Sequence, residues 1–502
     1  MIEYFISKNR FLKLSLLEIL STDELNISLF SNEHNISKYT VKRYLKELQL
    51  EVAEYGFNCE LVFPNSETCM LNNRKSDLPS LNKESVEKIK YEYLSTYSPS
   101  FLLCELLCMG ERFNLSKIEE HLRLSTSQIY KIINDFNESV ASHTISIAFN
   151  KDGTLDFFGD ELDIRIFIYN FILTCIPKKK WFFKNTSKHQ IYTDIMSFEE
   201  FNTVSKYTID KLCTFFGILQ TRLLLKKYLS PIEQKYQSSF ARFSYLKLSS
   251  LKYYFSDKRL TNEMIQYTEY LHFNFFLRVF IPDAIPETNI LEIGNYLQKS
   301  ANSDHRFLNS FLVAWGKKFD IKLSEANLPV LLYNSAILSI FSFFIPNNIS
   351  QFWNNNNTFL KDDEINVNLF AKVVNFVTNF VDNYPLPPNK KIFLQENGIP
   401  YFSSLYYLET VMFLHPNITI YMYFTTEYTS EVLLKNRIEQ IYNPEIIQFV
   451  SQAEAANIIL TDSNENYPPD SKVILVNGSL TTKNLNFILE TVHIHIIKKL
   501  LN

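Results

Sequence analysis

Glycine is scarce in this chain, 9 among 502 residues, while phenylalanine and tyrosine number 43 and 29. A sheet-dominated fold turns many of its corners on glycine, so this balance points to helix-rich packing with few tight turns. Long apolar runs are missing too. The opening residues MIEYFISKNRFLKLSLLEIL are broken by charges every few positions and lack the apolar core of a signal peptide. Residues 330–345, the longest weakly polar run, contain Asn334, Ser335, Ser339 and Ser342. That run falls short of the ~20 apolar residues of a membrane span, so a soluble, cytoplasmic protein with no membrane partner is expected. All six cysteines (Cys59, Cys69, Cys104, Cys108, Cys175 and Cys213) lie in the first half, with no CxxC pair and no histidines at zinc-ligand spacing. No disulfide framework, metal site or cofactor is implied. Cys104 and Cys108, four apart on an apolar run, read as buried thiols.

Acidic and basic side chains are unevenly placed. The net charge is −4, yet residues 1–170 carry 18 basic and 25 acidic groups, residues 171–259 carry 16 and 6, and residues 260–502 carry 16 and 23. A basic block in the middle suits an acidic, phosphate-bearing partner or DNA running past it.

The stretch Leu115–Thr174 organises the chain. It reads as a helix-turn-helix, a hairpin wing (HTISIAFNKDGTLDFFG) and a connecting helix (DELDIRIFIYNFILT). Ile129, Ile132, Ile133 and Phe136 fall at helical spacing and must be buried, which leaves Thr126, Ser127, Gln128, Tyr130 and Lys131 on the other face. Hydroxyls and a cation suit phosphates, an amide suits a base edge, and Lys151 stands at the wing. The connecting helix is apolar on nearly all sides, so it is expected to be buried between packed units and to couple them.

A second copy precedes it at an offset of 88 residues. Phe30, His34, Ile36, Ser37, Val41, Leu45 and Leu48 match Ile118, Leu122, Leu124, Ser125, Ile129, Ile133 and Phe136, and Arg43 matches Lys131. Phe57, Cys59 and Leu61 match Ile145, Ile147 and Phe149 as alternating strand residues, so both units are expected to be winged. The first recognition helix presents Lys38, Tyr39, Thr40, Lys42, Arg43 and Lys46, a locally positive face. His34 reads as a core residue. The helix before this copy, Arg10–Leu20, is expected to expose Arg10 and Lys13.

Downstream, residues 175–285 and 290–390 read as two aromatic-rich helical stretches broken at Pro282 and Pro286, with His189 and His272 in the first and His305 in the second. After the Pro-rich linker Tyr384–Pro388 the pattern turns α/β, with strands at 418–424, 458–460 and 473–476 and helices at 430–440 and 485–500.

The paired helix-turn-helix units, the wing and the string GDELDIRIFIYNFIL (Gly159–Leu173) resemble the Mga/AtxA family, virulence regulators of Gram-positive bacteria that contain phosphotransferase-regulation domains (PRDs). The resemblance implies a multidomain, mainly α protein: winged helix-turn-helix units at 1–80 and 81–174, PRD-like helical domains at 175–287 and 288–388, and a C-terminal α/β domain at 389–502 similar to enzyme IIB. It implies a transcriptional activator that binds double-stranded DNA and forms a homodimer or higher oligomer through the C-terminal domain. It also implies phosphorylation of His189, His272 and His305 by the phosphocarrier HPr or enzyme II components. An active enzyme IIB domain needs a phosphoaccepting cysteine after its first strand, where this chain reads FTTEYTSE, so catalysis is not expected. The competing classes are a PRD-containing RNA-binding antiterminator, which would need an all-β RNA-binding domain in front, and a phosphotransferase component.

Overall fold

The computed structural model describes residues 2–21, 24–55, 60–72, 83–140, 145–178, 180–257, 260–300, 303–321, 323–344, 367–413, 418–424, 428–442, 446–463, 467–469, 471–475 and 482–501. Within them the chain is mainly helical, with three small sheets. It folds as two compact units, one drawn from Met1–Ile293 and one from Gly294 onward.

Two modules of one design open the first unit. Each runs short strand, helix, recognition helix and hairpin. The helices are Ile27–Glu33 and Lys38–Glu54 in one module, Leu115–Leu122 and Thr126–Ser139 in the other. Asparagine starts both: Asn26 Oδ1 accepts from Ser28 N and Leu29 N, and Asn114 Oδ1 from Lys117 N. The turn between helices passes through left-handed backbone at Asn35 (φ 51°) and Arg123 (φ 55°), the same point of the repeat. Asparagine tolerates that region, whereas arginine occupies it at a cost. Ser37 and Ser125 then cap the recognition helices, and Val41, Leu45, Leu48, Ile129, Ile133 and Phe136 are buried as the period requires. Truncating any of these to alanine would cost about 2–5 kcal/mol.

The hairpins correct the expected register. Leu61 pairs with Leu71 as Ile147 pairs with Phe157, and Cys69 faces Leu25 as Leu155 faces Phe113. Leu61 is therefore the counterpart of Ile147, not of Phe149. The stretch from recognition helix to hairpin is two residues longer in the first module, 48 to 61 against 136 to 147. A strand repeats every second residue, so a slip of two leaves the apolar alternation intact and invisible in sequence. Phe57 and Cys59 lie outside the described residues. Each sheet also gains a two-residue strand before its first helix, Leu25–Asn26 and Phe113–Asn114, too short to carry a periodic signal.

Lys13 is buried, contrary to expectation. It sits on the opening helix Lys8–Leu20 and ion-pairs with Glu47 (2.8 Å) and Glu51 (2.6 Å) of the first recognition helix. Burial alone would lower its pKa, but the two carboxylates more than offset this and raise it. Arg10 lies over the Tyr97 ring at 3.8 Å. Helix Lys83–Tyr97 contributes Val86 and Ile89 to the first module's core, and helix Pro99–Cys108 is almost wholly buried. Cys104 and Cys108 are buried thiols 3.9 Å apart, and burial pushes the Cys104 thiol well up, which makes it unreactive.

The connecting helix, Glu161–Cys175, starts at Asp160, whose Oδ1 accepts from Leu162 N at 2.9 Å. It leads into helices Lys206–Leu224 and Glu263–Phe280, packed by aromatic rings such as Phe216 on Phe273 (centroids 4.7 Å apart). Gly217 lets the Phe183 ring lie close against helix Lys206–Leu224: a Cβ there would stand 2.4 Å from that ring.

In the second unit, helices Ser303–Phe319, Asn327–Phe344, Val367–Asn383 and Ile399–Phe413 pack around Phe311, Trp315 and Tyr406, with Trp315 Nε1 donating to Thr410 Oγ1 at 3.0 Å. The Pro-rich stretch read as a linker forms a corner inside this packing. Tyr384 lies against Phe307, and Gln395 donates to Asp382 across the corner. The sheet begins only at Ile418. Its four parallel strands, Ile418–Tyr423, Ile447–Val450, Ile458–Thr461 and Lys472–Leu475, stand in the order 2-1-3-4 counted along the chain. Ile447–Val450 was not expected, because Gln448 interrupts its short apolar run. Helices Tyr428–Ile441 and Thr482–Leu501 close the core through Leu434, Ile438, Ile488 and Val492.

Candidate nucleic-acid interface

On the second recognition helix Thr126, Ser127, Gln128, Tyr130 and Lys131 are all exposed, opposite the buried Ile129 and Ile133. Several have structural duties. Thr126 hydroxyl donates to Glu119, and Gln128 Oε1 accepts from Ser125 N at 2.9 Å, closing the helix's capping box. The cap thus occupies the amide oxygen of Gln128 and not its nitrogen. Tyr130 rests against Phe149 of the wing with centroids 5.6 Å apart, and Lys151 is exposed at the hairpin turn.

The first recognition helix is more cationic. Tyr39 stands out at 77% exposure, and Arg43 and Lys46 are exposed beside half-buried Thr40 and Lys42. Thr40 belongs to the cap, its N–H donating to Ser37 Oγ at 3.1 Å. Lys38 is held by Glu67 of the hairpin at 2.9 Å, and Arg43 lies 3.7 Å from Glu47 one turn on. Lys42, Lys46, Lys131 and Lys151 form no ion pair among the described residues. They are the cations best placed for phosphates. His34 is half-buried against Phe30, centroids 4.3 Å apart, and desolvation lowers its pKa although Glu33 opposes it.

Behind the recognition helices lies a polar cluster that the pattern of apolar residues hid. Arg165 on the connecting helix reaches Glu161 (2.9 Å), Glu269 (2.6 Å) and the Lys227 carbonyl (3.1 Å). Arg222 also binds Glu161 at 2.7 Å, and Glu269 accepts from Leu229 N at 3.0 Å. Burial alone would raise the Glu161 carboxyl, yet the hydrogen bonds and charges of Arg222 and Arg165 hold it below the ordinary value. Burial works against the Arg165 charge too, and Glu269 and Glu161 overcome it. The cluster ties the connecting helix to Lys206–Leu224 and Glu263–Phe280. The spacing of Glu161 and Arg165, four apart on an apolar helix, was its one signal in sequence.

The basic block turns toward the protein's own acidic N-terminal half. Lys178 pairs with Glu87 (3.3 Å), Lys180 with Glu105 (3.0 Å), Lys184 with Glu111 (3.0 Å), Arg222 with Glu161 (2.7 Å) and Lys227 with Asp156 of the wing (2.6 Å). The charge asymmetry is thus partly an intramolecular complementarity.

The three histidines differ in placement. His189 is exposed in the first turn of helix Lys188–Met196, while its neighbours Lys188 and Lys184 are engaged by Asp210 (2.7 Å) and Glu111 (3.0 Å). His272 is buried, with Nε2 3.3 Å from the Ser230 carbonyl and Nδ1 without a partner, and desolvation chiefly lowers its pKa to about 4. No phosphoryl donor reaches it in this conformation. His305 lies in helix Ser303–Phe319, its side chain outside the described residues. Among the described residues no cluster of histidine, cysteine and carboxylate fits a metal ion, and no helix is long and apolar enough to cross a membrane.

Fold and site together define a DNA-binding regulator of helix-turn-helix type. Residues 82–172, from helix Lys83–Tyr97 to the connecting helix, match the family model of the Mga helix-turn-helix domain. No curated protein matches the chain.

Proposed function

We propose that the protein is a transcriptional regulator, an activator of virulence or colonisation genes, that grips duplex DNA through both winged modules and whose helical parts tune that grip. The observation that carries this reading is the repeat itself: two modules alike in caps, left-handed turn and three-stranded sheet, each presenting an exposed recognition face. The first module supplies phosphate contacts through Lys42, Arg43 and Lys46, and the second reads bases through Gln128, with Thr126, Ser127, Tyr130, Lys131 and Lys151 around it. The layout is two PRD-like domains followed by an enzyme IIB-like domain that joins two copies. The parallel sheet in the order 2-1-3-4 supports that last assignment, and its α/β part starts near Ile418. Regulation works by phosphorylation from the sugar phosphotransferase system. His189 suits this best, because a phosphate in the first turn of a helix meets its N–H groups and dipole. His272 would need its helix to open first.

Titrating fluorescent duplex DNA with the full chain tests the core of this reading. A salt-dependent rise in anisotropy is expected, and its absence at low micromolar protein would sink the reading. Hairpin RNA in parallel decides against the antiterminator alternative.

A further inference from the structure

The two hairpins carry a phenylalanine at the same place and treat it differently. Leu61 is the counterpart of Ile147, so Phe63 is the counterpart of Phe149. The loops that follow are of equal length, since Val62 pairs with Met70 as Ala148 pairs with Asp156. In the second module the half-buried Phe149 ring lies against Tyr130 of the recognition helix, centroids 5.6 Å apart. At the 88-residue offset the first recognition helix has Lys42 in place of Tyr130. Phe63 is left 42% exposed, with no ring contact among the described residues.

By the repeat, this ring stands beside the recognition face, as Phe149 does in the second module. Its loop is fixed there. Lys38, the first residue of the recognition helix, pairs with Glu67 at 2.9 Å, and Asn65 Oδ1 accepts from Glu67 N at 2.8 Å and from Thr68 N at 2.9 Å. Pro64 restricts the residue before it to extended backbone. The tip from Val62 to Ser66 is exposed and uncharged, whereas the second wing carries Lys151 at its turn. The first tip has no cation for a phosphate and presents a ring instead. Lys42 and Lys46, one turn apart on the helix and without ion pairs among the described residues, supply the charge beside it. A ring next to free cations fits a polyanion with an apolar interior. Duplex DNA is one: phosphates rim its minor groove, and apolar side chains entering there part neighbouring base pairs. We propose that the first wing is a minor-groove wedge, in which Phe63 inserts at a base step and kinks the duplex. The inference rests on the DNA-binding reading above and adds to it a deformation of the DNA.

The experiment uses the full chain and a duplex with a donor dye at one end and an acceptor dye at the other, read by anisotropy for binding and by energy transfer for bending. The parent is expected to bind and to raise the transfer. Phe63→Ala should bind about tenfold more weakly and leave the transfer at the value of free DNA, with an unchanged salt slope because no phosphate contact is lost. Phe63→Leu keeps an apolar wedge and should restore most of both. A parent that does not bind would remove the DNA-binding reading itself. A parent that binds without raising the transfer, or a Phe63→Ala variant that binds and bends as the parent does, would overturn the wedge and leave that reading standing. A shallower salt slope in Phe63→Ala would overturn it too, since Phe63 would then act by positioning the neighbouring lysines.

Discussion

Arg165 and Glu269 lie 104 positions apart and meet through two hydrogen bonds, Nη1 to Oε2 at 2.6 Å and Nη2 to Oε1 at 3.0 Å. Glu269 is fully buried, so the pair cannot be separated without stranding a carboxylate away from water. Replacing Arg165 with methionine is expected to destabilise the first unit by about 3–5 kcal/mol, read from the midpoint of urea unfolding. Most of that is the penalty on the orphaned acid. The double variant Arg165→Met with Glu269→Met should recover much of the loss, and a double variant no better than the single would show that the pair does more than neutralise itself.

The lysine seam makes a different prediction. Lys178, Lys180, Lys184 and Lys227 are each at least a third exposed, so each pair contributes at most about 1 kcal/mol and is screened by salt. Stability should then fall only slightly on raising salt from roughly 0.05 to 1 M, while amide exchange in the wing and connecting helix quickens. Lys227→Glu should reproduce the faster exchange at low salt, and adding Asp156→Lys should reverse it. Exchange that is blind to salt would mean that packing alone holds the wing.

Much of this was legible in the sequence. The repeat at 88 residues and the period of Ile129, Ile133 and Phe136 gave both modules, because a buried helix face must be apolar at fixed spacing. What stayed hidden has physical reasons. The register of the first hairpin was masked by the strand period, and Leu25–Asn26 is too short to show one. Lys13 read as exposed since its partners Glu47 and Glu51 are more than thirty positions away. Composition counts charges but does not say which ones face each other, so the basic block suits outside partners in the sequence and meets its own acids in the fold. Glu161 and Arg165 are two charges in a helix whose pattern is otherwise apolar, yet they make its charged contacts to helices Lys206–Leu224 and Glu263–Phe280.

The proposed DNA interface assigns charge to the first recognition helix and base reading to Gln128 of the second, and the two roles can be tested apart. Lys42→Ala, Arg43→Ala and Lys46→Ala should each weaken binding to all duplexes alike and reduce the salt slope by up to about 0.9 per lost phosphate contact. Gln128 needs a gentler change, because alanine also removes the capping box and about 1 kcal/mol of helix stability. Gln128→Glu keeps the oxygen that accepts from Ser125 and removes the amide donor. Its binding should lose discrimination among sequences while its unfolding midpoint stays put. Unchanged anisotropy curves in all four variants would place the DNA elsewhere on the protein.

His272 ties the stability of the first unit to pH. The folded pKa, lowered to about 4 mainly by burial with Arg165 adding to it, lies below the ordinary 6.5, so between these values the unfolded chain binds the proton and the folded one does not. Stability is therefore full above 6.5 and is lost as pH falls toward 4, in total about 3 kcal/mol from this group. Glu161 has the same sign but a lower window, beginning near its ordinary value of 4.5 and continuing below it, while Glu409, raised by burial, titrates above 4.5 with the opposite sign, so the difference between the parent and a His272 variant isolates His272. His34 titrates in the same direction there, more weakly since it is half-exposed, and is present in both proteins compared. His272→Gln cannot titrate at this position, and between pH 6.5 and 4.5 the urea midpoint of the parent should fall relative to that of the variant. Parallel curves for the two proteins would mean that His272 is charged as readily in the folded chain as in the unfolded one, and that the ring is not sealed from water.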